Sequence, residues 1–182
     1  MKGAETARAE LDRSRDMKPV HGTVDVHVPI DTLWNFFRQA SSWPRWNHCF
    51  YWVHNRDLVQ NQQLIWCFQP IRPWYMYKMP AIAKIVEMDP PNRVTWHVTA
   101  LPGFFARHSY LLEDLGDGIT RFASWEKAMG AGFRVTKKFW IAHFEFVCRE
   151  SLEGGKRLES VYRQSGRLGS DLFSRHPQEP NE

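Results

Sequence analysis

The sequence predicts an α+β fold: an antiparallel β-meander packed on one long C-terminal α-helix, with two short helices after the first strand. Three observations carry this reading. Residues 20–28 alternate, with Val20, Gly22, Val24, Val26 and Val28 on one side and His21, Thr23, Asp25 and His27 on the other, the period of a half-buried strand. Further strand-like runs follow, divided by turn-forming residues. The chain then closes on a stretch whose large apolar residues share one helical face.

Taken in order, strand 20–28 leads through Pro29-Ile30 to Asp31, a residue type that caps a helix predicted over 32–39, whose apolar face is Leu33, Trp34, Phe36 and Phe37. Ser42 is the expected cap of a second short helix, with Trp43 and Trp46 one turn apart. Strand runs are predicted over 50–56, 64–70, 75–88, 93–100, 105–113 and 120–129. Their separators are Asn61-Gln62, Arg72-Pro73, Asp89-Pro90-Pro91-Asn92, Leu101-Pro102-Gly103 and Gly116-Asp117-Gly118, sequences suited to tight turns between antiparallel neighbours. In the run 75–88 Lys78 and Lys84 share the parity of Ile82 and Val86, which predicts a bulge near Pro80. The final helix is predicted over 133–164, with Phe133, Trp140, Phe144, Val147, Ser151, Leu158 and Tyr162 forming a buried stripe. Gly154 and Gly155 lie near that stripe, although glycine costs roughly 1 kcal/mol in a helix interior. Close approach to the sheet or to a ligand would explain them, and so would a kink.

The 182 residues divide into a polar arm (1–18), one domain (19–165) and a polar tail (166–182). Hydrophobic residues at 43% and charged residues at 24% exclude a wholly disordered chain, a collagen-like repeat and a disulfide-framework miniprotein. Aromatic residues reach 14%, and rings in such number need each other or a ligand to pack against. The net charge is +4, but basic residues are scattered beside acids, as over Arg121–Lys127, so no nucleic-acid partner is expected. From Arg134 to Arg167 basic residues outnumber acidic ones two to one, enough for weak attraction to a membrane surface. The three cysteines are far apart, with no metal-ligand spacing, and Met1–Lys18 lacks the apolar core of a signal peptide. No apolar run approaches the ~20 residues of a membrane span. The expectation is a cytoplasmic monomer or homodimer with no transmembrane segment, metal or cofactor.

Three motifs carry a family resemblance. Asp31-Thr-Leu-Trp-Asn-Phe-Phe followed by Ser42-Trp-Pro-Arg-Trp-Asn resembles the opening of the START/Bet v 1-like (SRPBCC) superfamily, whose polyketide cyclase/dehydrase branch has a helix leading into a WPxW segment. Glu87-Met-Asp-Pro-Pro-Asn-Arg-Val-Thr-Trp resembles that branch's DPPxxxxW turn, and Asp117-Gly-Ile-Thr-Arg-Phe its Gly-Thr turn into the last strand. The resemblance spans about 20–165. It implies a helix-grip fold, a curved antiparallel sheet wrapped around the long helix with an apolar cavity between them. It implies no catalytic motif, because members include lipid carriers, hormone receptors, aromatase/cyclases and chaperone co-factors.

Strand parity assigns the residues facing such a cavity. Arg121 and Lys127 are expected to face water, which turns Phe122, Ser124 and Glu126 inward. Ala106, His108, Tyr110 and Leu112 share the inward parity of their strand, as do Val94, Trp96, Val98 and Ala100, and Leu64, Trp66 and Phe68. Trp46, Trp66, Phe68, Trp96, Val98, Phe122, Ser124, Trp140, His143 and Phe144 are the candidate ligand-binding residues. Trp43 and Trp46 would cap the cavity, and His143 sits at the flank of the helical stripe, turned to the cavity mouth or partly to solvent. His108, Tyr110 and Glu126 are the candidate catalytic residues. A carboxylate and an imidazole among rings can transfer protons, and a phenol can polarise a ligand carbonyl. No nucleophile elbow, phosphate loop or metal triad is present. The expected function is binding of a small apolar or aromatic molecule with acid/base-assisted cyclisation or dehydration. A non-catalytic carrier or sensor is the alternative, and a chaperone-type or regulatory protein partner the third reading.

Overall fold

The computed structural model describes residues 18–71, 78–99 and 102–173. The arm expected over 1–18 (Lys18 apart), Arg72 to Tyr77, Ala100-Leu101 and everything beyond Phe173 lie outside the described residues. The strands are β1 (Val20–Val26), β2 (Phe50–Val53), β3 (Gln63–Phe68), β4 (Met79–Asp89), β5 (Arg93–Val98), β6 (Phe105–Gly116) and β7 (Ile119–Met129). The helices are α1 (Ile30–Phe37), α2 (Trp43–Trp46) and α3 (Ala131–Ser165), with single 3₁₀ turns at Ala40–Ser42 and Ser170–Leu172. The sheet runs β1-β7-β6-β5-β4-β3-β2, every neighbouring pair antiparallel. Strands β2 to β7 form the expected meander, β1 returns to pair with β7, and α3 packs on β1 and β7. This is the helix-grip architecture: a curled seven-stranded sheet closed by one long helix.

Local details depart from the sequence reading. Helix α1 starts earlier than predicted, with Pro29 at the N-cap and Asp31 inside the first turn without a side-chain cap bond. Proline fixes φ for helix entry, and its carbonyl accepts the first helical bond, Leu33 N–H at 2.9 Å. Asp31 favours the helix start through its charge rather than by capping. The bulge in β4 is not near Pro80, which pairs regularly with Cys67. It lies between Ile85 and Glu87 against β5, so Val86 is the extra residue and the parity flips after it. Ala81, Ala83 and Ile85 are the inward set before the bulge, and Lys84 stays exposed. Lys127 is buried at 3% exposure instead of facing water. The first residues after α3 pack on the body: Phe173 stacks on Phe36 with centroids 5.6 Å apart, and Arg45 donates to the Ser170 carbonyl at 3.1 Å.

Helix α3 departs from helical geometry at Thr136, not at its glycines. Gly154 and Gly155 are places of close approach. A Cβ on Gly154 would stand 2.7 Å from the Trp46 ring and 2.9 Å from the Trp46 carbonyl oxygen, and one on Gly155 3.1 Å from Val24. Gly154→Ala is therefore expected to lower stability by about 1–3 kcal/mol through overpacking, despite alanine's better helix propensity. Chemical denaturation of the variant measures this, and a gain in stability would contradict the close packing of α3 on α2.

Candidate functional site

Between the concave face of the sheet and α3 lies a cavity of about 490 Å³, within the range of small-molecule sites. Its walls are largely rings: Phe50 from β2, Trp66 and Phe68 from β3, Trp96 from β5, Phe104 before β6, and Trp140 and Phe144 from α3. Inward parity puts Trp66, Phe68 and Trp96 there, because alternate residues of a strand share one face. Val98 lines the cavity near its Thr99 end. Trp46, Phe122 and Ser124 are not among the lining residues. Trp46 is consumed in packing against Gly154, Phe122 sits in the core against Phe37 and Tyr110, and Ser124 lies beside the Cys148 thiol.

Among the described residues, four ionisable side chains line this space: His108, Tyr110, Glu126 and His143. His108 and Glu126 are direct cross-strand partners in the β6–β7 register, so the sheet itself brings them together. His108 Nδ1 stands 3.2 Å from Glu126 Oε2, with the two side chains 3% and 9% exposed. The contact lies off the line of a hydrogen bond, leaving Oε2 without a hydrogen-bonded partner, and His108 Nε2 is likewise unbonded. The imidazole is laid flat on Trp96, centroids 4.8 Å apart and planes 6° from parallel, which fixes its orientation. An imidazole touching a carboxylate in an apolar chamber is an arrangement able to pass a proton.

His143 projects from α3 and is buried rather than partly exposed, at 3%. Its ring meets the Phe68 ring edge-on at 4.7 Å. Burial, reinforced by the neighbouring His108, depresses its pKa from 6.5 to about 3, so it enters the cavity as a neutral imidazole at ordinary pH.

Tyr110 has partners the sequence reading missed. Its hydroxyl is 2.7 Å from Ser151 Oγ and accepts from Asn47 Nδ2 at 3.3 Å, while Asn47 Nδ2 also reaches Ser151 Oγ at 3.0 Å. Ser151 donates its one hydrogen to the Val147 carbonyl at 2.7 Å, so the Tyr110 O–H must be the donor to Ser151. That proton is committed, which disfavours the expected role of Tyr110 in polarising a ligand carbonyl. Burial also pushes the phenol pKa well above its usual value. Tyr110 is a strut joining β6, α3 and the segment after α2. Ser151 was visible as a hydroxyl in an apolar stripe, whereas Asn47 gave no periodic signal, nor did Phe104 in its turn.

The sequence matches one family over residues 17–158, described as polyketide cyclase / dehydrase and lipid transport. The chain belongs to this family. Solved structures agree on the fold. The Zhui aromatase/cyclase from Streptomyces sp. R1128 superposes with a TM-score of 0.67 at 11% identity, covering 82% of this chain and 97% of that one. A START superfamily protein from Mycobacterium smegmatis gives 0.56 at 13% identity, covering 77% and 98%. The di-domain ARO/CYC BexL from the BE-7585A biosynthetic pathway gives 0.61 at 15% identity over 81% of this chain, which spans only 48% of that longer protein. No curated protein matches the sequence significantly. This polyketide cyclase / dehydrase and lipid transport family member has, among its described residues, no helix long and apolar enough to cross a membrane, and no cluster of three or more His, Cys, Asp or Glu side chains placed to hold a metal ion.

Proposed function

We propose that the cavity binds a small, largely apolar or aromatic molecule and that His108 and Glu126 assist its cyclisation or dehydration by moving protons. The observation that supports this reading is the buried imidazole–carboxylate contact inside a ring-lined chamber. Trp66, Phe68, Trp96, Trp140 and Phe144 would hold the guest in a reactive shape, the larger part of such catalysis. The pair would take a proton from carbon next to a carbonyl and return one to a departing hydroxyl, which leaves as water. Tyr110 serves as wall and strut.

A carrier reading has one observation in its favour: the phenol, the hydroxyl best suited to polarise a carbonyl, is already bonded to Ser151 and Asn47. The protein-partner reading requires a cavity filled by its own side chains, and the 490 Å³ space speaks against it. Native mass spectrometry of protein purified from its own host would identify the guest, and its conversion can then be followed. Glu126→Gln and His108→Ala are each expected to reduce turnover by roughly 10²–10⁴-fold while guest affinity changes only a few fold. Unchanged turnover in both would remove the acid/base role, and binding without any conversion in the wild type would establish a carrier.

A further inference from the structure

Among the described residues no lysine or arginine lines the cavity. Lys78, next to the lining residue Met79, places its ammonium over the Tyr51 ring, 3.2 Å from the centroid. The ionisable lining groups are His108, Tyr110, Glu126 and His143. His143 is kept neutral by burial, and the Tyr110 phenol keeps its proton. Among the described lining residues there is thus no lysine or arginine to set against an anion, while Glu126 brings a carboxyl group. Burying an anion without a counter-charge is strongly unfavourable. Neutral donors remain on the wall, among them the indole N–H groups of Trp66 and Trp140, which are buried and unbonded. They suit an oxygen lone pair but bring no charge.

We infer that the cavity selects by charge, admitting uncharged aromatic guests that carry acceptor atoms and excluding carboxylates, sulfonates and phosphates of the same shape. This rests on the cavity-binding reading above and narrows it: free fatty acids and phospholipid head groups are not cargo for this chamber.

A matched pair of fluorescent probes tests it, N-phenyl-1-naphthylamine and its sulfonated counterpart 1-anilinonaphthalene-8-sulfonate, which share a ring skeleton. The full-length protein is expected to bind the neutral probe, and the sulfonate more than about tenfold more weakly. Val98→Lys, at a half-buried lining position near the end of β5, is expected to raise the affinity for the sulfonate relative to that for the neutral probe at least about tenfold. Wild-type affinities within tenfold of each other would overturn the charge rule while leaving cavity binding intact. No response from Val98→Lys, with the variant folded by circular dichroism, would also overturn it. Failure of both probes to bind would overturn the cavity reading and this inference with it.

Discussion

Lowering the pH from 7 to 4 is expected to remove about 3 kcal/mol of stability through His143 alone. The imidazole titrates near 6.5 in the unfolded chain and near 3 in the folded protein. Between those values the unfolded state binds more protons, so stability rises with pH across the window. The contribution is intact above pH 6.5, declines as pH falls and levels off below about 3. Each unit of difference is worth about 1.4 kcal/mol. The control is His143→Leu, an apolar, helix-compatible side chain of similar size. Urea unfolding of both proteins at pH 7 and pH 4 isolates the effect, because the remaining titrating groups are common to them. The wild type is expected to lose about 3 kcal/mol more than the variant. Equal losses would mean that the imidazole is solvated, and that α3 does not close over the cavity at this point.

How far the sequence carried the structure depends on the range over which each signal acts. Strand parity is a two-residue signal, and it placed Phe68, Trp66, Trp96, His108 and Glu126 on the concave face. A simple meander then made His108 and Glu126 neighbours, and the register makes them direct partners. Parity failed where a bulge reset it: inserting Val86 changes which β4 residues face inward without altering the apolar pattern, so Pro80 drew attention that belonged to Ile85–Glu87. Lys127 shows the same limit from another side, since parity says which face a residue is on but not what covers that face. Trp46 and Trp140 were both expected at the cavity, yet Trp46 is fully buried in packing against Gly154 while Trp140 borders the cavity. Which tryptophan meets a void is decided by how α2 and α3 dock, not by either segment. The Asn47–Tyr110–Ser151 network joins residues 41, 63 and 104 positions apart, where no local pattern reaches. His143 lay at the flank of the α3 stripe, and the rings of Phe68, Phe139, Trp140 and Phe144 around it widen the buried face enough to enclose it.

Trp43 ties these regions together, and its removal is expected to have the largest effect on stability of any single ring. It is fully buried, tilted against Phe37 at 5.5 Å and Phe50 at 5.2 Å, and stacked on Trp96 at 5.7 Å. Its indole N–H donates to the carbonyl of Phe37 at 2.7 Å, one of the groups left without an intrahelical partner at the end of α1. Trp43→Ala removes the ring contacts and strands that carbonyl, for a loss of about 3–5 kcal/mol. Trp140→Ala should cost less, because the ring already borders open space and its N–H has no partner to lose. Denaturant unfolding with linear extrapolation compares the two. A smaller loss for Trp43 than for Trp140 would place the centre of the core at the wrong end of the sheet. The consequence also reaches the site. Trp96 packs against Trp43 and also carries the imidazole of His108, which rests flat on it at 4.8 Å. With Trp43 gone, Trp96 loses its backing and His108 the surface that orients it, so any variant that remains folded should hold the His108–Glu126 contact less firmly. The His108–Glu126 contact is thus supported by the same rings that hold α2 on the sheet.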